Sequence, residues 1–265
     1  LVEAGACMLL VEAAPEEVTD RIVAASPVPV IGCGGGPACH GQIVVTQTNG
    51  RHDTDLLHPP LDVMRSWDPA PALEGHKGYL TISCGGGLPG IEGAEAYAAA
   101  VHFVAAATLT VAPASAVFWA PGYALTAPEA FLEAAEALTR GRMPLACWVS
   151  SAAVVPRGYA PQDALGMVTY GMRPFLGREI ELAPRPGDAR SAYHCLSAVA
   201  GRVLSQGLML QDGDRLRGLD GSFDVSVRER TYWLRREMSA YVLIADDAVV
   251  DPETLRPRAA LPLSA

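Results

Sequence analysis

The stretch from Glu3 to Val45, EAGACMLLVEAAPEEVTDRIVAASPVPVIGCGGGPACHGQIVV, decides the fold class. Cys7 to Ala13 reads as a short buried strand. Pro15 sits where a helix begins, with Glu16 and Glu17 near the positive end of the helix dipole. Val18, Ile22 and Val23 recur at helical spacing and define its apolar face. VPVI supplies a second strand, Gly32 to Gly36 a bare-backbone loop, and QIVV a third short apolar run. Strand, helix, strand in that order implies parallel pairing, because only a crossover helix returns the chain to the same end of a sheet.

Beyond this stretch the periodicity fails from 48 to 73, where Pro, Asp and Asn gather, and a linker is expected. The pattern restarts at about residue 74. GYLTISC, SAVFWA, LACWVSSAAVV, ALGMVTYGM, GREIELA, LMLQDGDRLRG, FDVSVRER and SAYVLIA read as strands, with Asp-Gly turns at Asp212 and Asp220. Helices are expected over IEGAEAYAAAVHFVAAA, apolar almost all round and hence buried, over APEAFLEAAEALTRG and over DARSAYHCLSAVAGRVLSQG. Thr126 is the expected N-cap of the second, with Glu129 three residues on as its capping-box partner and Gly141 closing it. The expected fold class is α/β: a partial (β/α) barrel segment over 1–47, a linker over 48–73, a separate α+β domain with a mixed sheet over 74–250, and a tail over 251–265. The chain starts at Leu1 in mid-pattern, which reads as a truncated start.

Composition limits the partners. The chain has 265 residues, half of them apolar, which excludes global disorder. Its net charge of −9 argues against nucleic acid, since phosphate binding needs clustered Lys and Arg. Six scattered cysteines without a CxxC fit reduced thiols, and with no signal peptide the expected location is cytoplasmic. Val101 to Ala120 is long enough to span a bilayer, but Pro113 divides it, and a buried helix followed by a buried strand is the preferred reading, so no membrane partner is expected.

Glu12 is the candidate catalytic residue. A carboxylate at the carboxyl end of a buried parallel strand sits where α/β barrels place reactive groups, and burial there suits it to proton transfer. Position alone equally describes an inert glutamate held near a helix N-terminus, and that simpler account is preferred on position alone. The glycines at 32–36 let backbone approach a ligand, or merely make a tight exit from a strand.

With its motifs in order, the same stretch resembles the late part of the ketopantoate hydroxymethyltransferase family. Glu3-Ala-Gly-Ala, Glu12, Pro15, Glu17, Pro29-Val-Ile-Gly and Gly41-Gln42 match that family's pattern without a gap. The resemblance implies a (β/α)₈ barrel that transfers a hydroxymethyl group from 5,10-methylenetetrahydrofolate to 2-oxoisovalerate in pantothenate biosynthesis, with magnesium stabilising the enolate. It places Glu12 on the family's acid/base glutamate. His40, Cys33 and the Thr46-Gln47 pair depart from the family, which has Asp, Ile and His-Asp there. The family's metal-binding aspartates, its metal-linked glutamate and its substrate lysine have no counterpart here. No metal ligand is therefore assigned, no folate-binding residue is identified, and inactivity of the chain alone is expected.

A second resemblance covers roughly 75–245. Thr169-Tyr170-Gly171-Met172, Phe175, Gly177 and Glu179-Ile180-Glu181 are similar to the signature of an uncharacterised bacterial family, domain of unknown function 4261, which implies no activity. Glu179 and Glu181 alternate on one strand face and read as a solvated edge able to pair with Arg173 or Arg178. Cys84 to Gly90, CGGGLPG, satisfies GxGxxG, but no acidic residue follows about twenty positions on, which argues against a dinucleotide. His102, His194 and Cys195 read as core or helix-face residues, Asp212, Asp214 and Asp220 as turn residues, and Trp119, Trp148 and Trp233 as core anchors. Two functions stand: a hydroxymethyltransferase-like fragment acting on a small molecule, or a non-catalytic binding or immunity-type module over 74–250 with an unknown protein partner.

Overall fold

The computed structural model describes residue 3 and residues 9–12, 14–28, 30–33, 41–49, 76–85, 90–154, 164–218, 221, 223–230 and 240–249. They form two compact units. The first holds β1 (Leu9–Glu12), α1 (Glu16–Ala25), β2 (Val30–Cys33), β3 (Gly41–Asn49), β4 (Gly78–Gly85), α2 (Gly90–Val111) and α3 (Pro128–Thr139).

Its sheet runs in the order β1-β2-β3-β4. β1 pairs parallel with β2 from Leu9↔Val30 to Glu12↔Cys33, and β2 pairs parallel with β3 at Ile31↔Gly41, as the strand-helix-strand order requires. β4 then pairs antiparallel with β3 along eight positions, from Gln42↔Gly85 to Asn49↔Gly78. The first sheet therefore takes up residues on both sides of the expected linker, and Thr48 and Asn49, read as linker, are strand. No barrel closes among the described residues.

Two faces in this unit differ from expectation. On α1 only Thr19 is buried; Val18 is 44 % exposed, and Ile22 and Val23 are half-buried. On α2, expected to be buried, most described residues are half-buried; Ala98, Ala100, His102 and Ala106 are buried, while Val111 at its end is 82 % exposed. Gly93–Val111 is, by length and composition only, long and apolar enough to cross a membrane. His102 is the polar residue among them. Its Nε2–H donates to the Phe131 carbonyl at 3.1 Å, and its ring stacks on Phe131 with centroids 3.8 Å apart, fastening α2 to α3. Thr126 is not the cap of α3. It is buried in a strand, Ala127 occupies the N-cap with no side-chain hydrogen bond, and Pro128 opens the helix with a φ already set. Gly141, at φ +73°, follows the helix end as expected.

The second unit contains most of the hairpin β5 (Val117–Trp119) to β6 (Ala124–Thr126), joined by a 3₁₀ turn at Ala120–Gly122, then α4 (Leu145–Trp148), β7 (Ser150–Val154), β8 (Ala164–Tyr170), α5 (Arg173–Leu176), β9 (Glu179–Pro186), α6 (Ala189–Gln206), β10 (Arg215–Arg217), β11 (Asp224–Arg230) and β12 (Ala240–Ala245). Its mixed six-stranded sheet runs β10-β11-β12-β9-β8-β7, with β12 and β9 parallel and the other pairs antiparallel. Asp188 caps α6 by accepting the Ser191 N–H at 2.8 Å, and the helix buries Ala192, Cys195, Leu196, Val199, Ala200, Val203 and Leu204 on one face. His194 lies exposed on α6. Burial pushes the Cys195 thiol up to about 11, so it stays protonated and behaves as a small apolar residue.

Two strands expected in this unit are shorter than their apolar runs. The start of LACWVSSAAVV is one helical turn, α4, because the Pro144 carbonyl accepts from both Cys147 and Trp148 and turns the chain before β7 begins. Of LMLQDGDRLRG only Arg215–Arg217 is strand, since the Asp212-Gly213 turn comes first. The turn is pinned by Asp212, which accepts the Glu229 N–H, and Asp214, which accepts the Gln211 N–H. Trp119 and Trp148 are core residues; Trp233, Asp220 and the tail from 251 lie outside the described residues.

Burial holds the His102 imidazole down to about 4, against the pull of its hydrogen bond to Phe131. The folded state thus keeps it neutral while the unfolded chain takes up a proton below about 6.5. Between 6.5 and 4 the unfolded state binds more protons, so the first unit loses up to about 3 kcal/mol as pH falls. Hydrogen-exchange protection of α2 amides, corrected for intrinsic rates, is expected to show this loss, and His102→Leu to remove its pH dependence.

Candidate functional site

Glu12 is the last residue of β1, opposite Cys33, the last of β2. Parallel pairing puts both at the carboxyl end of the sheet, with α1 starting four residues later at Glu16. The strand that ends at Glu12 was expected to be buried; its Leu9 and Val11 are half-buried. The side chain of Glu12 and the glycine loop after Cys33 lie outside the described residues. So do residues 86–89 of CGGGLPG, whose final glycine, Gly90, opens α2.

The second unit carries a polar centre that the sequence placed wrongly. Glu179 and Glu181 are 5 % and 1 % exposed, because β9 is an interior strand rather than an edge. Glu179 accepts four hydrogen bonds: from the Thr169 hydroxyl at 2.7 Å and from the backbone N–H groups of Gly171, Met172 and Arg173 at 3.0, 3.0 and 3.2 Å. Thr169 in turn accepts the Ile180 N–H at 2.8 Å, which aims its proton at the carboxylate. All four partners are donors, so the ionised carboxylate satisfies them best. Burial raises the Glu179 pKa, and the four donors pull it back.

Neither expected arginine partner reaches it. Arg173 contributes only its backbone, and Arg178 bridges to Glu229 and lies over the Tyr241 ring at 4.8 Å.

This carboxylate shapes the loop from Gly171 to Arg173. Gly171 adopts φ +107°, and a Cβ there or at Gly122 would overlap the Trp148 carbonyl, so both positions require glycine. Trp148 is fully buried between Trp119 and Phe175, each ring 5.9 Å away and stacked. Phe175 lies in the short helix α5 that begins at the Glu179-held loop, and Gly177 caps its end at φ +76°. Thr169, Gly171, Phe175, Gly177 and Glu179 are thus one structural unit. Sequence reasoning grouped them as a signature without seeing this; the spacing of Gly171 and Glu179 around a proline-initiated turn was the available signal.

Beside this centre, Leu145, Val149, Ser150, Ser151, Thr169 and Ser197 line part of a cleft of about 10 Å³, enough for one water. A buried carboxylate whose acceptor positions are filled by one hydroxyl and three backbone N–H groups organises backbone.

Among the described residues no group of three or more His, Cys, Asp or Glu is placed to hold a metal ion.

Comparison with known proteins bears on the first of these sites. Residues 1–51 match the family described as ketopantoate hydroxymethyltransferase. The amino-terminal segment is similar to that enzyme. It is 53 % identical over 45 residues to the 3-methyl-2-oxobutanoate hydroxymethyltransferase of Moorella thermoacetica, covering 17 % of this chain and 17 % of that protein. It is 53 % identical over 47 residues to the enzyme of Bordetella petrii, covering 18 % of this chain and 17 % of that protein, and 49 % identical over 45 residues to that of Nitrosococcus oceani, covering 17 % of each. The chain thus spans about a sixth of the length of the curated relatives it matches. No solved structure matches it.

Glu179→Gln is expected to destabilise the second unit by about 2–4 kcal/mol, because an amide NH₂ would face backbone N–H donors and leave at least one buried donor unsatisfied. Gly171→Ala should cost a similar amount through strained φ and overlap. Urea unfolding followed by Trp148 fluorescence measures both, and a loss below about 0.5 kcal/mol for either would contradict the cradle.

Proposed function

We propose that the hydroxymethyltransferase-like segment is the functional element of this chain, with Glu12 as the group that moves a proton in carbon–carbon bond formation next to a carbonyl. The observation that carries this reading is the match over residues 1–51, which includes Glu12, together with its register at the carboxyl end of two parallel strands. The substrate class is then a 2-oxo acid, and the one-carbon donor a methylene-folate. In this reading one water releases the one-carbon unit from the methylene-folate as formaldehyde and leaves tetrahydrofolate. Glu12 would take the proton from the carbon next to the oxo group, that carbon would bond to the formaldehyde carbon, and Glu12 would return the proton to the formaldehyde oxygen, now the hydroxymethyl oxygen. In the sequence Cys33 is followed by Gly34, Gly35 and Gly36, residues without a Cβ.

The same reading holds that this chain is a fragment fused to a second domain and does not turn over alone. The matched segment is short relative to the family's enzymes, and a closed set of strands is what positions acid and base together.

A chimera tests the reading. Residues 1–51 replace the equivalent segment of the Moorella thermoacetica enzyme, and hydroxymethyl transfer to 2-oxoisovalerate is measured with methylenetetrahydrofolate and magnesium. The chimera is expected to turn over, Glu12→Gln within it to lower kcat by about 10²- to 10⁴-fold, and the chain alone to be silent. A Glu12→Gln chimera with unchanged kcat would overturn the assignment.

A further inference from the structure

The cleft beside the Glu179 cradle is lined by hydroxyl residues from three elements: Ser151 of β7, Thr169 of β8 and Ser197 of α6. Ser151 and Thr169 lie directly opposite one another in the antiparallel pair, so they share one face of the sheet. α6 packs on β8 and β9, and its buried Leu196 and Ala200 supply apolar wall to the same cleft.

The hydroxyls differ in the hydrogen bonds they can still make. Thr169 donates its proton to Glu179 and accepts the Ile180 N–H, which leaves one acceptor position on its oxygen. Ser151 and Ser197 spend their hydroxyls on none of the described residues, so each can both donate and accept. Ser150, also on the wall, already donates to the Gly122 carbonyl. No charged side chain lines the cleft, which disfavours an ion there, and about 10 Å³ admits a single non-hydrogen atom. A ligand of that size has to donate to Thr169 and exchange hydrogen bonds with two serines.

We infer that this cleft is a binding site for one water, which donates to Thr169 and to one serine and accepts from the other. Three hydrogen bonds are the usual complement of a buried water. Its donation polarises the Thr169 O–H towards Glu179. The carboxylate that shapes the turn from Gly171 to Arg173 is thereby tied to α6 through a solvent molecule.

The test uses the intact chain. A crystal structure that orders solvent is expected to show one water within about 3.2 Å of the three hydroxyl oxygens. Ser151→Ala, Ser197→Ala and the double variant are then compared by urea unfolding followed through Trp148 fluorescence. Both serines hold the same water, so removing the second should cost less once the first is gone. The double variant's change in unfolding equilibrium constant is expected to be about threefold or more below the product of the two single changes. The gain in helix propensity from alanine at 197 cancels in this comparison. A cleft that is dry, closed or filled by anything other than water would overturn the inference. So would single effects that simply multiply, as two unconnected hydroxyls would give.

Discussion

The second unit is organised around one ionic constraint: a buried carboxylate that must find donors. Glu179 sits on an interior strand, where an unpaired charge would be very costly, and it recruits a hydroxyl and three consecutive backbone N–H groups. Those three groups run from the turn after β8 into the first residue of α5, so satisfying the charge dictates the path of the chain there. That path brings Gly171 against the Trp148 carbonyl, sets Phe175 on the Trp148 ring and, through Gly122, fixes the 3₁₀ turn of the neighbouring hairpin. Polar satisfaction and aromatic packing are here two consequences of one interaction.

The first unit follows different rules. Its parallel strands arise from local grammar, but its cohesion with later sequence comes from β4, which pairs with β3 along eight positions. α2 carries the chain on from β4, and His102 ties that helix to α3 through a buried hydrogen bond and a ring stack. The segment that resembles a hydroxymethyltransferase is consequently built into a sheet with residues beyond it, while Val18 on α1 is 44 % exposed.

Most elements were legible as patterns. α1, α3 and α6 follow from apolar spacing at helical period, and the Asp212-Gly213 turn follows from residues that tolerate the required backbone. The register position of Glu12 was legible too, because a strand's end and its successor helix are local facts. The identity and spacing of Thr169, Gly171, Phe175, Gly177 and Glu179 were visible as a signature, but not their purpose. A glutamate two residues from another on a strand looks like a solvated face until the neighbouring strands are known. α4 was misread for a related reason: an apolar run of strand-forming residues becomes a helical turn when the preceding Pro144 carbonyl accepts from two following N–H groups and Trp148 must reach between two rings.

By itself the amino-acid sequence determined what depends on neighbours within a few positions: strand-helix-strand order in the first fifty residues, the parallel sense of β1, β2 and β3, helix stops and tight turns. Backbone sterics and side-chain periodicity act at that range, so no folded context is needed to read them. Only the tertiary structure decided that β9 lies inside its sheet, that Glu179 is a buried anchor rather than a surface charge, and that β4 closes antiparallel on β3. Those outcomes depend on which distant strands come to lie side by side, a choice governed by summed burial and hydrogen-bond satisfaction over the whole unit.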